Sequence, residues 1–276
     1  MRTLVTSILI ALALALTAAP PAGAGGSAWR CVRRDDGSKN PGGGCGPLRY
    51  RQISGSDGHN TYVINDMWNP PGAGHPQTID VDNPGDWQVT SDQAAGNTAV
   101  LSYPDVQQVL TTTHDAPAPL ERFRSITGTF TQSMPDGGDN EAAYDIWLGA
   151  NEATNYDQEV MIWVDDHRTN PPPGHVIARR RFAGVRYAVW RDPRDGNPGF
   201  RTIYFVRERR ASAGRVDIGA MLDWLVRRKL TDATGLNQLD FGWEICSTGG
   251  RPETFTISRY ALRLRCRGGG SRCYGS

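Results

Sequence analysis

Lysine is nearly missing from this 276-residue chain: Lys39 and Lys229 stand alone among 30 basic residues that are otherwise arginine. That preference fits a GC-rich coding sequence. Excess charge is missing too, because 29 acidic residues leave a formal net charge of +1. A balance this even excludes the broad basic surface by which proteins bind nucleic acid. Metal-binding patterns are absent. There is no Cys-x-x-Cys pair for a zinc ribbon, and His59, His75, His114, His167 and His175 form neither His-Glu-x-x-His nor an i, i+4 pair. The acidic run Asp136-Gly137-Gly138-Asp139-Asn140-Glu141 lacks EF-hand spacing and reads as a turn. Neither a glycine-rich phosphate cradle nor a Gly-x-Ser-x-Gly elbow occurs. No internal repeat is present. The chain therefore gives no reason to expect a cofactor or a metal.

Long apolar runs are confined to the first residues. Arg2, the uncharged stretch Leu4 to Leu16, and Ala22-Gly23-Ala24 have the order of a secretory signal peptide. The run is shorter than the roughly 20 apolar residues a membrane span requires. Residues 1–24 are thus expected to be removed, leaving a secreted, extracellular chain with no membrane segment. An oxidising destination permits disulfides. Cys31 and Cys45 flank a Gly-rich loop and are expected to pair. Cys266 and Cys273 could close a small C-terminal loop, leaving Cys246 free, with Cys246–Cys266 as the rival. Residues 25–50 read as a stapled N-terminal extension and 51–276 as one domain.

Glycine (32) and proline (18) are plentiful and fall between short apolar segments. Candidate strands are 61–65, 98–103, 126–132, 143–149, 158–164, 175–182, 186–191, 201–207, 239–246 and 254–265. Many strands separated by turns indicate an all-β sandwich or barrel. One segment has helical spacing: Ile218, Met221, Leu222, Leu225 and Leu230 form a single stripe. Asp217 is placed to cap its start, and Arg227, Arg228 and Lys229 suit its C-terminal end.

Two glutamates stand in unusual strand contexts. Successive side chains of a strand alternate between faces, so Glu159, Met161 and Trp163 share one face, and Val160, Ile162 and Val164 the other. The aliphatic trio suits a core. The acid, thioether and indole suit the floor of a cleft for something both flat and polar. Asp145 and Trp147 likewise share a face opposite Ile146 and Leu148. In Leu239 to Cys246, Glu244 shares its face with Asp240, Gly242 and Cys246. Gly242 is expected to leave room for a ligand beside the acid. A carboxylate pair among aromatic rings is what glycoside hydrolysis needs.

At these residues the chain resembles glycoside hydrolase family 12, the β-jelly-roll endoglucanases and xyloglucanases. The matching pieces run in order: Asn65-Asp66-Met67-Trp68, Ser102-Tyr103-Pro104, Tyr144 to Leu148, Glu159-Val160-Met161-Ile162-Trp163 and Gly242-Trp243-Glu244. The resemblance covers about 60–265 and includes the helix over 216–230. It implies a two-sheet, concanavalin-like jelly roll with a concave cleft and one packed helix. It also implies a retaining endo-β-1,4-glucanase or xyloglucanase acting on polysaccharide without a cofactor; a monomer is expected of a secreted cleft enzyme. Glu159 would be the nucleophile, Glu244 the general acid/base, and Asp145 the carboxyl that orients the nucleophile. Asn65 and Trp68 would contact sugar, Met161 would pack under the reacting ring, and Trp147 and Trp163 would complete the aromatic lining. Asp66 departs from the family's second Asn. The two acids are expected on neighbouring strands, which lie about 4.8 Å apart. A sugar-binding jelly roll of lectin type, or a jelly-roll hydrolase such as a xylanase or laminarinase, is the alternative. The Glu-x-Asp-x-x-Glu strand of laminarinases is absent, since Met161 takes its middle place. An acidic-to-neutral optimum is expected, because Glu244 must be protonated while Glu159 is ionised.

Overall fold

The structure is a computed structural model and describes residues 53–54, 60–67, 77–110, 117–149, 158–192 and 201–269. The expected leader (1–24), the extension (25–50) and Trp68 lie outside them. In chain order the elements are β1 (Ile53–Ser54), β2 (Asn60–Ile64), β3 (Gln77–Asn83), β4 (Asp86–Asp92) and β5 (Asp105–Val109). There follow β6 (Ala118–Pro119), β7 (Phe123–Ser133), β8 (Asp139–Gly149), β9 (Gln158–Asp166), β10 (His175–Phe182) and β11 (Val185–Arg191). The chain continues through β12 (Arg201–Arg207), β13 (Ala213–Asp217), α1 (Ile218–Arg227), β14 (Gly235–Ser247) and β15 (Pro252–Cys266).

The strands form two sheets. One runs β1-β2-β5-β14-β8-β9-β12-β11-β10, with β6 joined to β14; the other runs β13-β7-β15-β4-β3. The pairing of β12 with β9 is parallel. This is the two-sheet jelly roll with one helix that the turn-separated apolar segments indicate.

The alternation in β9 behaves as expected. Val160, Ile162 and Val164 enter the main core, while Met161 and Trp163 join a small cluster with Ala143 and Tyr204 on the opposite face. In β14, Phe241, Trp243 and Ile245 are fully buried. Trp243 meets Trp87 of the second sheet edge-on, with ring centroids 4.9 Å apart. Its indole N–H, which would otherwise be buried unpaired, donates to Gln132 Oε1 at 3.0 Å.

The helix is shorter than expected, at Ile218–Arg227, and its buried stripe includes Met221, Leu222 and Leu225. Asp217 caps it, Oδ1 accepting from the Ala220 N–H at 3.2 Å. Trp224 also faces inward, against Phe182 and Phe205.

Residues 98–103 do not form the expected strand. Ser102 makes only isolated bridges, to Met67 and Ile245. Pro104 has no N–H to continue a ladder, and the strand starts after it, as β5. Strands β3, β4 and β13 were not among the expected ones. In β3 the apolar positions are just Ile79 and Val81, interleaved with Asp80 and Asp82.

Gly242 serves a purpose different from the one expected. A Cβ there would run into the Pro104 carbonyl oxygen and come within 2.8 Å of Asp105 Cα. The space beside Glu244 is filled by the chain at the start of β5, not held open for a ligand. Gly242→Ala is therefore expected to cost about 1–3 kcal/mol through overpacking. Urea unfolding of the variant reads this as a lower midpoint, and an unchanged midpoint would contradict the close approach.

Cys246 is a buried free thiol, so the Cys246–Cys266 pairing is excluded. Cys31, Cys45 and Cys273 lie outside the described residues. No helix among the described residues is long and apolar enough to cross a membrane.

Candidate active site

The first sheet carries a cavity of about 440 Å³, and Glu159, Glu244, Asp145 and Trp147 all line it. Strand β8 is its middle line. Asp145 stands opposite Met161 on β9 and Asp240 on β14, and Trp147 stands opposite Glu159. Glu244 stands opposite Glu141. The two glutamates are thus not on neighbouring strands: β8 separates β9 from β14, and the ladder sets them at different levels along it. They meet the same cavity because the polar faces of β9, β8 and β14 coincide, not because the strands adjoin.

Glu159 is half-buried and held by two donors. Thr202, its ladder neighbour on β12, donates from Oγ1 to Glu159 Oε2 at 3.0 Å. Asp145 is hydrogen-bonded to Glu159 as well. Burial holds the Asp145 carboxyl well above the usual carboxylate range, and the nearby charges of Glu159 and Asp240 push the same way. A carboxyl so placed stays protonated and donates to its neighbour. Glu159 can then remain ionised without being left alone in a partly desolvated site. The strand alternation reveals Asp145; the Thr202 contact needs the parallel β9–β12 pairing, for which the sequence offers no local signal.

Glu244, also half-buried, has a cation beside it. Arg168 Nη1 lies 3.3 Å from Glu244 Oε2 and 2.8 Å from Glu141 Oε2. The same guanidinium places Nε 2.6 Å from Asp139 Oδ1, and its Nη2 donates to the Thr98 carbonyl at 2.9 Å. Burial and the neighbouring Glu244 raise Glu141 well above the usual carboxylate range, with Arg168 opposing. Arg168 follows β9 directly, at the end of Asp165-Asp166-His167-Arg168, and was not among the candidate site residues. Its position just past the strand of Glu159 is the one hint the sequence holds.

The remaining candidates separate by depth. Trp147 is partly exposed at the cavity, whereas Met161 and Trp163, expected to contact sugar, are 3 % and 2 % exposed, do not line it, and pack with Ala143 and Tyr204 instead. Trp163 packs edge-on against Tyr204 at 5.7 Å. Asn65 is 1 % exposed. Its Oδ1 accepts from Gln77 Nε2 at 2.8 Å, and Gln77 Oε1 in turn accepts from Ser102 and Ser91. This buried amide network leaves Asn65 to anchor its segment and offers no open amide for sugar. The neighbouring Asp66 lines the cavity in its place, with Tyr103, whose hydroxyl donates to the Ala143 carbonyl at 3.0 Å. Asp105, Gln107, Gln238 and Asp240 add a polar wall from β5 and β14. Cys246, two residues past Glu244, is buried rather than bridged, and burial pushes its thiol far up, so it stays neutral.

A β-sandwich whose concave sheet presents two glutamates, one braced by a protonated aspartic acid, has the architecture of the jelly-roll glycosidases. Residues 60–265 match the sequence profile of glycosyl hydrolase family 12, and the chain belongs to that family. Endoglucanase S of Pectobacterium parmentieri is 29 % identical over 145 residues, a stretch that is 49 % of this chain and 54 % of the relative. The chain thus spans about half the length of that curated relative. The xyloglucanase domain of NopAA, a type three effector from Sinorhizobium fredii solved with cellobiose, superposes with a TM-score of 0.65 at 24 % identity. That match covers 78 % of this chain and 98 % of the domain. The native family 12 xyloglucanase of Bacillus licheniformis gives a TM-score of 0.66 at 20 % identity over 80 % and 98 %. Endoglucanase cel12A of Rhodothermus marinus gives 0.65 at 23 % identity over the same shares.

Proposed function

We propose that this protein is a secreted, cofactor-free endoglycosidase that cleaves β-1,4-linked glucan by double displacement. The observation that carries the reading is the convergence of Glu159 and Glu244 on one cavity, with Asp145 hydrogen-bonded to Glu159. In the first half-reaction, Glu159 attacks the anomeric carbon while Glu244 protonates the departing glycosidic oxygen. The bond to the leaving sugar breaks as the glycosyl–Glu159 ester forms. In the second half-reaction, Glu244, now a carboxylate, takes a proton from water, which attacks the anomeric carbon and releases Glu159. Thr202 and Asp145 hold Glu159 against rotation, so the attacking oxygen is already aligned. Trp147 gives the sugar an apolar face on which to stack.

Retention requires carboxyl groups roughly 5–5.5 Å apart, against about 6.5–9.5 Å for inversion. Since β8 separates the two acids, that approach has to come from the reach of both side chains into the cavity. A secretory leader over 1–24, as the sequence order there suggests, and a cleft for polysaccharide fit an extracellular monomer. Cys266 is disulfide-bonded and Cys246 is not its partner; we assign the bridge to Cys273, the next cysteine along the chain.

Reducing-sugar release from carboxymethylcellulose, mixed-linkage β-glucan, xyloglucan and xylan tests the substrate class. Cleavage of the first three with little or none of xylan is expected, and their ratio ranks tolerance of xylose branches. Cleavage of xylan alone would overturn the proposal.

A further inference from the structure

We propose that Arg168 and Glu141 are positioning residues for Glu244: together they hold one of its oxygens and set the alkaline limit of activity. This rests on the acid/base reading of Glu244 given above.

The geometry goes beyond an ordinary core ion pair. Glu141 is fully buried and stands directly across the β8–β14 ladder from Glu244. Arg168 Nη1 contacts Oε2 of both acids. Its other contacts, through Nε to Asp139 and through Nη2 to the Thr98 carbonyl, leave the guanidinium little freedom to swing. A clamp whose purpose was only to neutralise buried Asp139 and Glu141 would not need a cavity-lining carboxylate as its third partner.

Charge counting gives the chemistry. One cation faces three carboxyl groups, so the cluster is best satisfied when it also carries protons. Arg168 Nη1 contacts Oε2 of both Glu141 and Glu244, so the two carboxyl groups stand close together and repel when both are ionised. Glu141 therefore opposes loss of the proton from Glu244, and Arg168 favours it. Arg168 stabilises the carboxylate left on Glu244 once the glycosidic oxygen has taken its proton. Because the clamp occupies Oε2, transfer is assigned to Oε1.

The other groups facing Glu244 do not replace this pair. Cys246 on the same strand and Tyr103 ahead of β5 are buried, which keeps both neutral. Asp145 on β8 is held protonated. Glu159, Asp66, Asp105 and Asp240 lie around the same cavity; as acids, they can only oppose ionisation of Glu244.

The test is the pH dependence of kcat/KM on an unactivated cello-oligosaccharide, whose poor leaving group needs the proton of Glu244, alongside circular dichroism and the thermal midpoint. Glu141→Gln removes the neighbouring acid but keeps a donor to Glu244. Its alkaline limb is expected to move to lower pH by about one unit, at the lower end of what a neighbouring charge does. Arg168→Met removes the cation, and its limb is expected to move to higher pH. Arg168→Lys, which keeps the charge and loses the fork, is expected to fall between Arg168→Met and the wild type. The acid limb, set by Glu159, should stay in place in all three. Opposite movements are not the signature of general structural damage. Should Arg168→Met fail to fold, Glu141→Gln and Arg168→Lys carry the test. Folded variants with an unmoved alkaline limb, or with Glu141→Gln moving it upward, would overturn the proposal. Glu244→Gln separates this from failure of the underlying reading: if it retains the alkaline limb, Glu244 is not the acid/base; if it loses the limb while the clamp variants leave it unmoved, the clamp alone is wrong.

Discussion

Glu159→Gln is expected to lower kcat on β-glucan by more than about 10⁴-fold, the scale on which removing an attacking nucleophile acts. The amide is nearly the same size and can still meet Thr202, which now accepts rather than donates. Fold and cleft should survive, and so should glucan binding, read by affinity electrophoresis. That combination distinguishes an enzyme from a lectin-type jelly roll. A lectin needs the aromatic lining but not a nucleophile, so it would bind unchanged and have no turnover to lose. A folded Glu159→Gln variant that hydrolyses within tenfold of wild type would remove Glu159 from the reaction.

Glu244→Gln has a different expected signature, because proton donation matters only when the leaving group is poor. On polymer, the loss of general acid catalysis should cost about 10²–10⁴-fold. On an aryl glycoside with an acidic phenol leaving group, the first step should be spared. Turnover then stalls at the second step, which still needs a base, so a burst of phenol equal to the enzyme present is expected. A small anion such as azide, which needs no base to attack, should restore turnover. Equal losses on both substrates, with no burst, would assign Glu244 to structure.

The parts of the site that follow one strand's alternation were legible in the sequence. Period two puts Glu159 with Met161 and Trp163, and sends Val160 and Ile162 to the core. Asp217 and the stripe from Ile218 to Leu225 define the helix, although Lys229, at φ 54°, marks where its C-terminal turn has ended. Features that depend on pairing between distant segments were not legible. Thr202 reaches Glu159 through a parallel pairing across residues far apart in the chain. Gly242 is a glycine because β5 passes against it, and only the register of β5 on β14 shows that. Arg168 joins Glu244 because β9 ends beside β14's partner strand, and no local pattern marks it. Asn65 is the opposite case: its motif reads as a sugar contact, yet Gln77 from β3, a strand whose acids hide its alternation, draws the side chain into a buried network.

Trapping with a 2-fluoro cellobioside, followed by mass spectrometry of the digested protein, tests the central claim most directly. The fluorine slows both steps, and a good leaving group lets the first proceed, so the sugar should remain esterified to the peptide bearing Glu159. One fluorocellobiosyl group per chain on Glu159, formed with loss of activity, is the predicted result. Label on Asp145, Asp240 or another carboxylate, or turnover with inverted anomeric configuration and no label, would contradict it.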